Sequence, residues 1–187
     1  MSGVTVREAR AEDATGIARV HVETWRAAYA GLVPDTYLVG MSEQGQALVW
    51  QRLLSSRGRE SVLVAEAATA DGRQLVGFGS FGRARRGALP YKGEIYTLYV
   101  AGDWQGRGLG RRLLAGMFQA MALGGLPDTF LWVLSSNPSR FFYEAMGGDR
   151  AAIRQEAFAG TLLDETAYAW PDLAGWLASY THTSRGS

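Results

Sequence analysis

The chain has 187 residues, a length that fits a single domain. Its 19 basic and 18 acidic side chains almost cancel, which argues against a dedicated nucleic-acid surface, so we expect no nucleic-acid partner. The sequence has no cysteine, which excludes disulfides, thiolate metal sites and a cysteine nucleophile. Its two histidines lie too far apart to suggest a metal site.

The N-terminus and the apolar runs bear on where the protein acts. Residues 1–10 lack the apolar core of a signal peptide. No apolar run approaches the roughly 20 residues that a membrane-spanning helix needs. We therefore expect a cytoplasmic protein with no membrane partner.

The first half of the chain is predicted to contain one strand followed by helices. Residues 4–8 alternate between apolar and polar side chains, which is typical of a strand. From about Asp13, apolar side chains recur at helical spacing, and Gly31 and Pro34 end that helix. Short helices are expected over residues 37–54, with a buried side formed by Leu48, Leu53 and Leu54.

Strands dominate the second half. Residues 62–65 and 75–78 are predicted to form a hairpin around the turn signal Asp71-Gly72, and Gly87 and Pro90 interrupt its second strand. An apolar repeat of four residues, from Leu109 to Met121, indicates a buried helix face. The remaining elements are predicted as strands over 95–100, 130–134, 153–158 and 162–170, and as short helices over 139–146 and from Pro171.

This order of elements predicts the fold class. Strands and helices follow one another without an internal repeat or a linker. The pattern favours a mixed α/β layer fold with a largely antiparallel central sheet flanked by helices. We expect one domain over residues 1–180 and a loose tail over residues 181–187.

The most informative segment is the turn Gln105-Gly106-Arg107-Gly108-Leu109-Gly110-Arg111-Arg112, which joins a predicted strand to a predicted helix. Glycines let a backbone approach a ligand closely, and the free N–H groups of a helix N-terminus suit a phosphate. The arginines stand where the helix dipole disfavours cations, a conflict that a bound polyanion would remove. The alternative is a glycine-rich turn with a solvated basic helix start.

Other motifs that bind phosphate or hold a nucleophile fit less well. A P-loop needs Gly-Lys-Ser/Thr, which is absent, and a dinucleotide fingerprint needs Gly-x-Gly-x-x-Gly in an early strand–helix–strand unit. The segment Phe78-Gly79-Ser80-Phe81-Gly82 lacks the first glycine of a nucleophile elbow.

The segment 105–110 resembles the Gln/Arg-x-x-Gly-x-Gly/Ala signature of the GNAT family of N-acetyltransferases. The preceding segment 94–100 resembles the fourth strand of that family. The segment 137–148 resembles its second cofactor motif, in which alanine is usual where this chain has Ser139. Two such motifs in the right order, separated by a helix and a strand, are more specific than either alone.

The resemblance implies an acyl-CoA N-acyltransferase fold with acetyl-CoA as co-substrate and no metal. It implies that the amides of the glycine-rich turn hold the pyrophosphate of coenzyme A. The cofactor-binding residues that it implies are Leu98, Tyr99, Val100, Gln105, Gly106, Arg107, Gly108, Leu109, Gly110, Arg111 and Asn137.

The implied chemistry is direct acyl transfer to a primary amine, carried by a small molecule or a peptide N-terminus. Backbone N–H groups near Leu98 and Val100, where the fourth strand separates from the fifth, stabilise the oxyanion. Tyr143 is the implied acid that protonates the leaving thiolate. Glu94 is the implied base, directly or through water, and a strand-end charge is the alternative.

Other residues carry two interpretations each. The resemblance implies that Trp25 and Tyr29 border the acceptor pocket, while an aromatic stripe on a helix also suits core packing. The basic run Arg83, Arg85 and Arg86 is either solvated or faces an anionic group. His21 is interpreted as a structural residue rather than a base.

Two alternatives for the function stay open. The first is a non-catalytic coenzyme A-binding sensor or interaction domain of the same fold. The second is an enzyme that uses a longer acyl-CoA. The acceptor is open among polyamines, antibiotics, amino acids and protein N-termini, and so is assembly as a homodimer.

Overall fold

The structure, a computed structural model, describes residues 3–56, 58, 60–70, 72–85 and 89–184. Asp71, Arg86 and Gly87, to which the sequence assigns a turn, a basic run and a strand break, lie outside the described residues. The helices and strands in chain order are β1 (Val4–Glu8), α1 (Ala14–Ala28), α2 (Asp35–Gly40), α3 (Glu43–Ser55), β2 (Glu60–Thr69), β3 (Gly72–Arg83), β4 (Gly93–Val100), α4 (Leu109–Leu123), β5 (Thr129–Leu134), α5 (Arg140–Ala145), β6 (Asp149–Phe158), β7 (Thr161–Trp170) and α6 (Leu173–Ser184).

Within the described residues, the strands form one seven-stranded sheet in the order β1-β2-β3-β4-β5-β7-β6. Neighbouring strands are antiparallel throughout, except that β4 and β5 are parallel. The predicted hairpin is present, because β2 and β3 pair from Glu60↔Gly82 to Thr69↔Gly72. The prediction of a mixed α/β fold with a largely antiparallel sheet is therefore confirmed.

The parallel pair β4–β5 is very short. The two strands pair only at Gly93↔Thr129 and Glu94↔Phe130, and then diverge. On the other side of β4, the register with β3 shifts so that Tyr96 has no partner and forms a bulge. A bulge bends its strand and increases the local twist, so it accompanies the separation of β4 from β5.

Helices cover both faces of the sheet. On the face that we call the front, α1 and α3 bury Ile17, Val20 and Trp50 against β2 and β3. On the opposite back face, α4, α5 and α6 pack over the largest core cluster, which contains Leu113 and Met117 of α4. None of the described helices combines the length and the hydropathy that crossing a membrane requires.

Two predictions about the helices are wrong. Leu48 is exposed on α3, and Trp50 occupies the buried position. Residues 181–184, predicted as tail, belong to α6. Both differences come from tertiary contacts: the Trp50 indole donates a hydrogen bond to His21 at 3.2 Å, and α6 is held by the Trp176 indole, which donates to the Met146 carbonyl at 2.7 Å.

The single contact region between β4 and β5 generates a test of the fold. A Cβ at Gly93 would lie 2.7 Å from the Asp128 carbonyl oxygen, a backbone atom with little freedom to move. We expect Gly93→Ala to lower the free energy of unfolding by about 1–3 kcal/mol, measured by urea denaturation. Gly40→Ala is the control, because a Cβ at Gly40 meets no atom within 4 Å, and it should raise stability by less than about 1 kcal/mol or leave it unchanged. Equal stability of Gly93→Ala and wild type would contradict the close pairing.

Candidate active site

An open cleft of about 480 Å³ lies where β4 and β5 diverge. Its walls are residues 95–100 of β4 and residues 131–133 of β5. Thr24 and Ala28 of α1, and Tyr29 directly after it, line it from the front face, and residues of α4 and α5 line it from the back. The predicted site residues that line the cleft are Tyr29, Leu98, Tyr99, Val100, Gln105, Gly106, Gly108, Leu109, Gly110, Arg111, Asn137 and Tyr143.

The unpaired edge of β4 presents backbone groups to this cleft. The Ala101 N–H donates to the Val76 carbonyl on β3 at 2.9 Å. Consecutive residues of a strand direct their amide groups to opposite sides, so the amides of Leu98 and Val100 face away from β3, toward the side that β5 has left. The Val100 carbonyl accepts a hydrogen bond from Gln105 Nε2 at 3.0 Å, which agrees with this direction.

The glycine-rich turn forms a cradle at the start of α4. Gly106 and Gly108 have φ angles of +70° and +75°, in the left-handed region that favours glycine. Gly108 caps α4 without a side chain, and the first N–H groups of any helix have no acceptor within it. A Cβ built on either glycine meets no atom within 4 Å, so open space lies beside these amides. A diphosphate fits such a cradle because it accepts hydrogen bonds and carries negative charge.

The three arginines of the turn have different surroundings. Arg111 lines the cleft. The Arg107 guanidinium lies 5.0 Å from the centre of the Trp104 ring, and Arg107 does not line the cleft. Arg112 donates to the Val4 carbonyl at 2.8 Å and so ties α4 to β1. Of these three side chains, Arg111 is the one positioned for an anionic ligand in the cleft.

Tyr143 lies on α5 inside the cleft and is 8% exposed. Burial and the neighbouring Tyr29 raise the pKa of its hydroxyl above the ordinary value of about 10, so it keeps its proton at neutral pH. The Asn137 side chain accepts a hydrogen bond from the Ser139 N–H at 2.8 Å and so shapes the turn before α5. Asn137 and Tyr143 therefore reach the cleft from one short segment.

Tyr29 lies near both walls of the cleft. Burial raises the pKa of the Tyr29 hydroxyl, and the nearby side chains of Tyr99 on β4 and of Asn137, just beyond β5, lower it in part. The Tyr99 hydroxyl accepts a hydrogen bond from the Trp25 indole at 3.0 Å. Trp25 does not line the cleft. The centre of its ring lies 4.5 Å from the ring centre of Tyr29 and 5.6 Å from that of Phe158. The structure brings Tyr29 to the cleft and sets Trp25 behind it as a packing residue.

Glu94 does not reach the cleft. It is 2% exposed, and its carboxylate accepts hydrogen bonds from the Arg85 N–H at 2.9 Å and from the Arg85 guanidinium. Glu94 also lies in the part of β4 that is still paired with Phe130 of β5. Arg85 therefore holds the Glu94 carboxylate, and Glu94 does not line the cleft, so the implied role of Glu94 as a base, directly or through water, stays a prediction.

His21 is packed among aromatic rings. Its Nδ1 accepts a hydrogen bond from the Trp50 indole at 3.2 Å, and its ring stacks on Tyr99 at 5.6 Å. Burial lowers the pKa of His21 to about 4, so its imidazole is neutral at pH 7. These contacts agree with a structural role. In the part of the chain that the structure describes, no group of three His, Asp or Glu side chains could hold a metal ion.

Among the further residues that line the cleft, and that the sequence did not assign to a site, are Thr24, Trp104 and Trp132. Thr24 is visible in the sequence only as one position of the helical pattern of α1. No motif marks the two tryptophans. They line the cleft because two strands diverge, and no local sequence pattern shows that divergence.

Comparison with known proteins matches this chain to N-acetyltransferases. Residues 17–148 match the model of the Acetyltransferase (GNAT) family. The uncharacterized N-acetyltransferase YuaI of Bacillus subtilis is 37% identical over 171 residues, which is 91% of this chain and 95% of that protein.

Solved structures share the fold. The PaiA N-acetyltransferase of Thermoplasma acidophilum, solved with coenzyme A, has a TM-score of 0.62 and 22% identity, with 89% of this chain and 98% of that chain covered. YncA of Salmonella typhimurium, solved with acetyl-CoA, has a TM-score of 0.65 and 23% identity, with 92% and 95% covered. At these identities the likeness establishes the fold.

The environment of His21 predicts how stability depends on pH. The unfolded imidazole binds a proton near pH 6.5 and the folded one only near pH 4, so the unfolded state binds more protons between these values. Stability from this group is present above about pH 6.5 and is lost as the pH falls toward 4. From pH 7 to pH 5 the wild type should lose about 2 kcal/mol more unfolding free energy than His21→Gln, measured by urea denaturation. Parallel pH profiles for the two proteins would contradict the burial of His21.

Proposed function

The chain belongs to the acetyltransferase (GNAT) family and is an N-acetyltransferase, and we propose that it transfers the acetyl group of acetyl-CoA directly to a primary amine in a ternary complex. The observation that carries this proposal is that a free strand edge, a glycine cradle at a helix N-terminus and a buried tyrosine open onto one cleft. The acceptor is a small-molecule amine or a peptide N-terminus. The single domain over residues 1–180, the cytoplasmic location and a homodimer stay predictions.

The residues of the cradle are suited to the cofactor. The diphosphate of coenzyme A is proposed to bind to the amides of Gly106, Gly108 and Gly110, with Arg111 adding a positive charge. The unpaired edge of β4 suits the amide-containing arm of coenzyme A, which would lie along it as a further strand does. When bound, acetyl-CoA supplies the activated thioester.

The transfer step uses groups of this chain that face the same space. The acceptor nitrogen forms a bond to the acetyl carbon as the carbon–sulfur bond breaks. The N–H groups of Leu98 and Val100 are proposed to stabilise the negative charge that develops on the thioester oxygen. The departing sulfur takes the hydroxyl proton of Tyr143, and the amine loses its proton to water, from which Tyr143 is reprotonated.

The ionisable side chains that line the cleft, among the described residues, are Arg111 and the tyrosines at positions 29, 96, 99 and 143. Burial raises the pKa of all four phenols, so they are neutral at pH 7. A neutral phenol is a proton donor rather than a base, and Glu94 is held by Arg85. We therefore propose water as the proton acceptor, and Tyr29 as the residue that borders the acceptor.

Thiol release tests the proposal. Acetyl-CoA is incubated with spermidine, an aminoglycoside, amino acids and short peptides with free N-termini, and free thiol is detected with a disulfide dye. An N-acetyltransferase releases coenzyme A with at least one amine and forms the acetylated product, seen by mass spectrometry. Coenzyme A binding by calorimetry without any amine-dependent release would favour the non-catalytic binding domain. Faster release from propionyl-CoA would favour a longer acyl group.

The cradle predicts the effect of a side chain at Gly108. We expect Gly108→Val to weaken coenzyme A binding at least about tenfold, measured by calorimetry, because the branched side chain fills the space beside the amides. Gly125→Val is the matched control: Gly125 has a φ of +79° at the other end of α4 and also meets no atom within 4 Å. Both variants carry the strain of a left-handed residue, but the control should bind coenzyme A within about twofold of wild type. Equal affinities for the two variants would count against the cradle.

The surroundings of Tyr143 predict the loss that follows removal of its hydroxyl. Tyr143→Phe keeps the ring and should lower kcat at least about tenfold, with little change in acetyl-CoA affinity, because the leaving sulfur loses its proton donor. Tyr168→Phe is the control, since Tyr168 is buried in the same core cluster, donates to Glu144 at 2.6 Å and does not line the cleft. An unchanged kcat in Tyr143→Phe, with chemistry rate-limiting, would leave protonation of the sulfur to water.

A further inference from the structure

Two hydroxyl oxygens are buried without a hydrogen-bond partner among the described residues, those of Thr24 and Thr129. A buried hydroxyl with no partner is unfavourable and uncommon, so each one requires an explanation. The two threonines differ in position. Thr24 lines the cleft, whereas Thr129 is fully buried at the first residue of β5, opposite Gly93, and does not line it.

The other hydroxyls on the β4 wall of the cleft already have partners. The Tyr96 hydroxyl donates to the Arg83 carbonyl at 2.6 Å, and the hydroxyls of Thr97 and Ser80 bond to each other at 2.8 Å. The Tyr99 hydroxyl accepts from the Trp25 indole. Thr24 therefore supplies an unused hydrogen-bonding group where α1 faces these strands.

The position of Thr24 indicates which substrate it meets. The glycine cradle and Tyr143 belong to elements that pack on the back face, so the proposed cofactor site approaches the cleft from that side. Thr24 lies on α1, which covers the front face. A nucleophile that attacks the thioester from the side opposite the cofactor would pass α1, where Ala28 stands one turn beyond Thr24 and leaves space.

We propose that the Thr24 hydroxyl oxygen binds the acceptor amine by accepting a hydrogen bond from one of its N–H groups. This inference rests on the function proposed above. The oxygen is shielded from solvent in the free protein, so binding requires rotation about χ1, which turns the hydroxyl toward the cleft and moves the methyl group to another staggered position. Threonine in a helix has two accessible χ1 positions, which permits this rotation without movement of the backbone. A bound amine provides the partner that the hydroxyl lacks, and the bond orients the nitrogen lone pair.

The test compares substitutions at the two unpaired threonines. Thr24→Val and Thr24→Ala remove the hydroxyl, Thr24→Ser retains it, and Thr129→Val removes the other unpaired hydroxyl away from the cleft. The acceptor is the amine of the thiol-release panel that wild type acetylates fastest, and coenzyme A affinity is measured by calorimetry. We expect kcat/KM for this amine to fall at least about fivefold in Thr24→Val and Thr24→Ala. It should stay within about twofold of wild type in Thr24→Ser and Thr129→Val, with coenzyme A affinity unchanged in all four variants.

Thermal denaturation separates binding from folding. Removal of an unpaired buried oxygen should leave the Tm of Thr24→Val and Thr129→Val equal to that of wild type or higher. An unchanged kcat/KM in both Thr24→Val and Thr24→Ala, or an equal loss of coenzyme A affinity, would overturn the inference while the proposed function stands. A wild-type protein that acetylates no amine in the panel would overturn the proposed function and this inference with it.

Discussion

The two-residue pairing of β4 with β5 is the constraint on which the rest of the structure depends. Each strand keeps an antiparallel partner on its other side, β3 for β4, with one bulge at Tyr96, and β7 for β5. The sheet can therefore open between them while each strand stays paired on its outer side. Because Gly93 leaves no room for a Cβ beside the Asp128 carbonyl, the closed end of the opening is fixed by backbone contact, and the cleft widens from Ile95 onward.

The candidate site is defined mainly by backbone groups that the described neighbouring elements leave unpaired, on the edge of β4 that β5 leaves and at the start of α4. The divergence exposes the edge of β4, and the start of α4 exposes the N–H groups that no helix can pair for itself. Both sets of donors open onto one volume. A ligand with a diphosphate at one end and amide groups along its length would satisfy both sets of donors, and the proposed co-substrate has this composition.

The sequence predicted features that depend on local conformation. Alternating apolar residues marked the strands, and the glycines at 106 and 108 marked a turn whose positive φ angles the structure contains. It could not give the contacts that depend on a partner distant in space. Glu94 has the residue type of a base, but the strand register and the bulge at Tyr96 set its carboxylate against Arg85. Trp25 and Tyr29 share one helix face in the sequence, and only packing against β4 decides that Tyr29 reaches the cleft.

A single physical effect accounts for both proton positions in the proposed reaction. Burial disfavours charge, so it raises the pKa of Tyr143 and keeps a proton on its hydroxyl. The same burial acts in the opposite direction on an ammonium ion, whose pKa falls when it leaves water. An amine that enters the cleft therefore shifts toward its neutral, nucleophilic form, while the phenol beside it stays a proton donor. A cleft lined by buried and half-buried tyrosines thus favours the reactive form of both partners without a carboxylate base, and this fits the pairing of Glu94 with Arg85 outside the cleft.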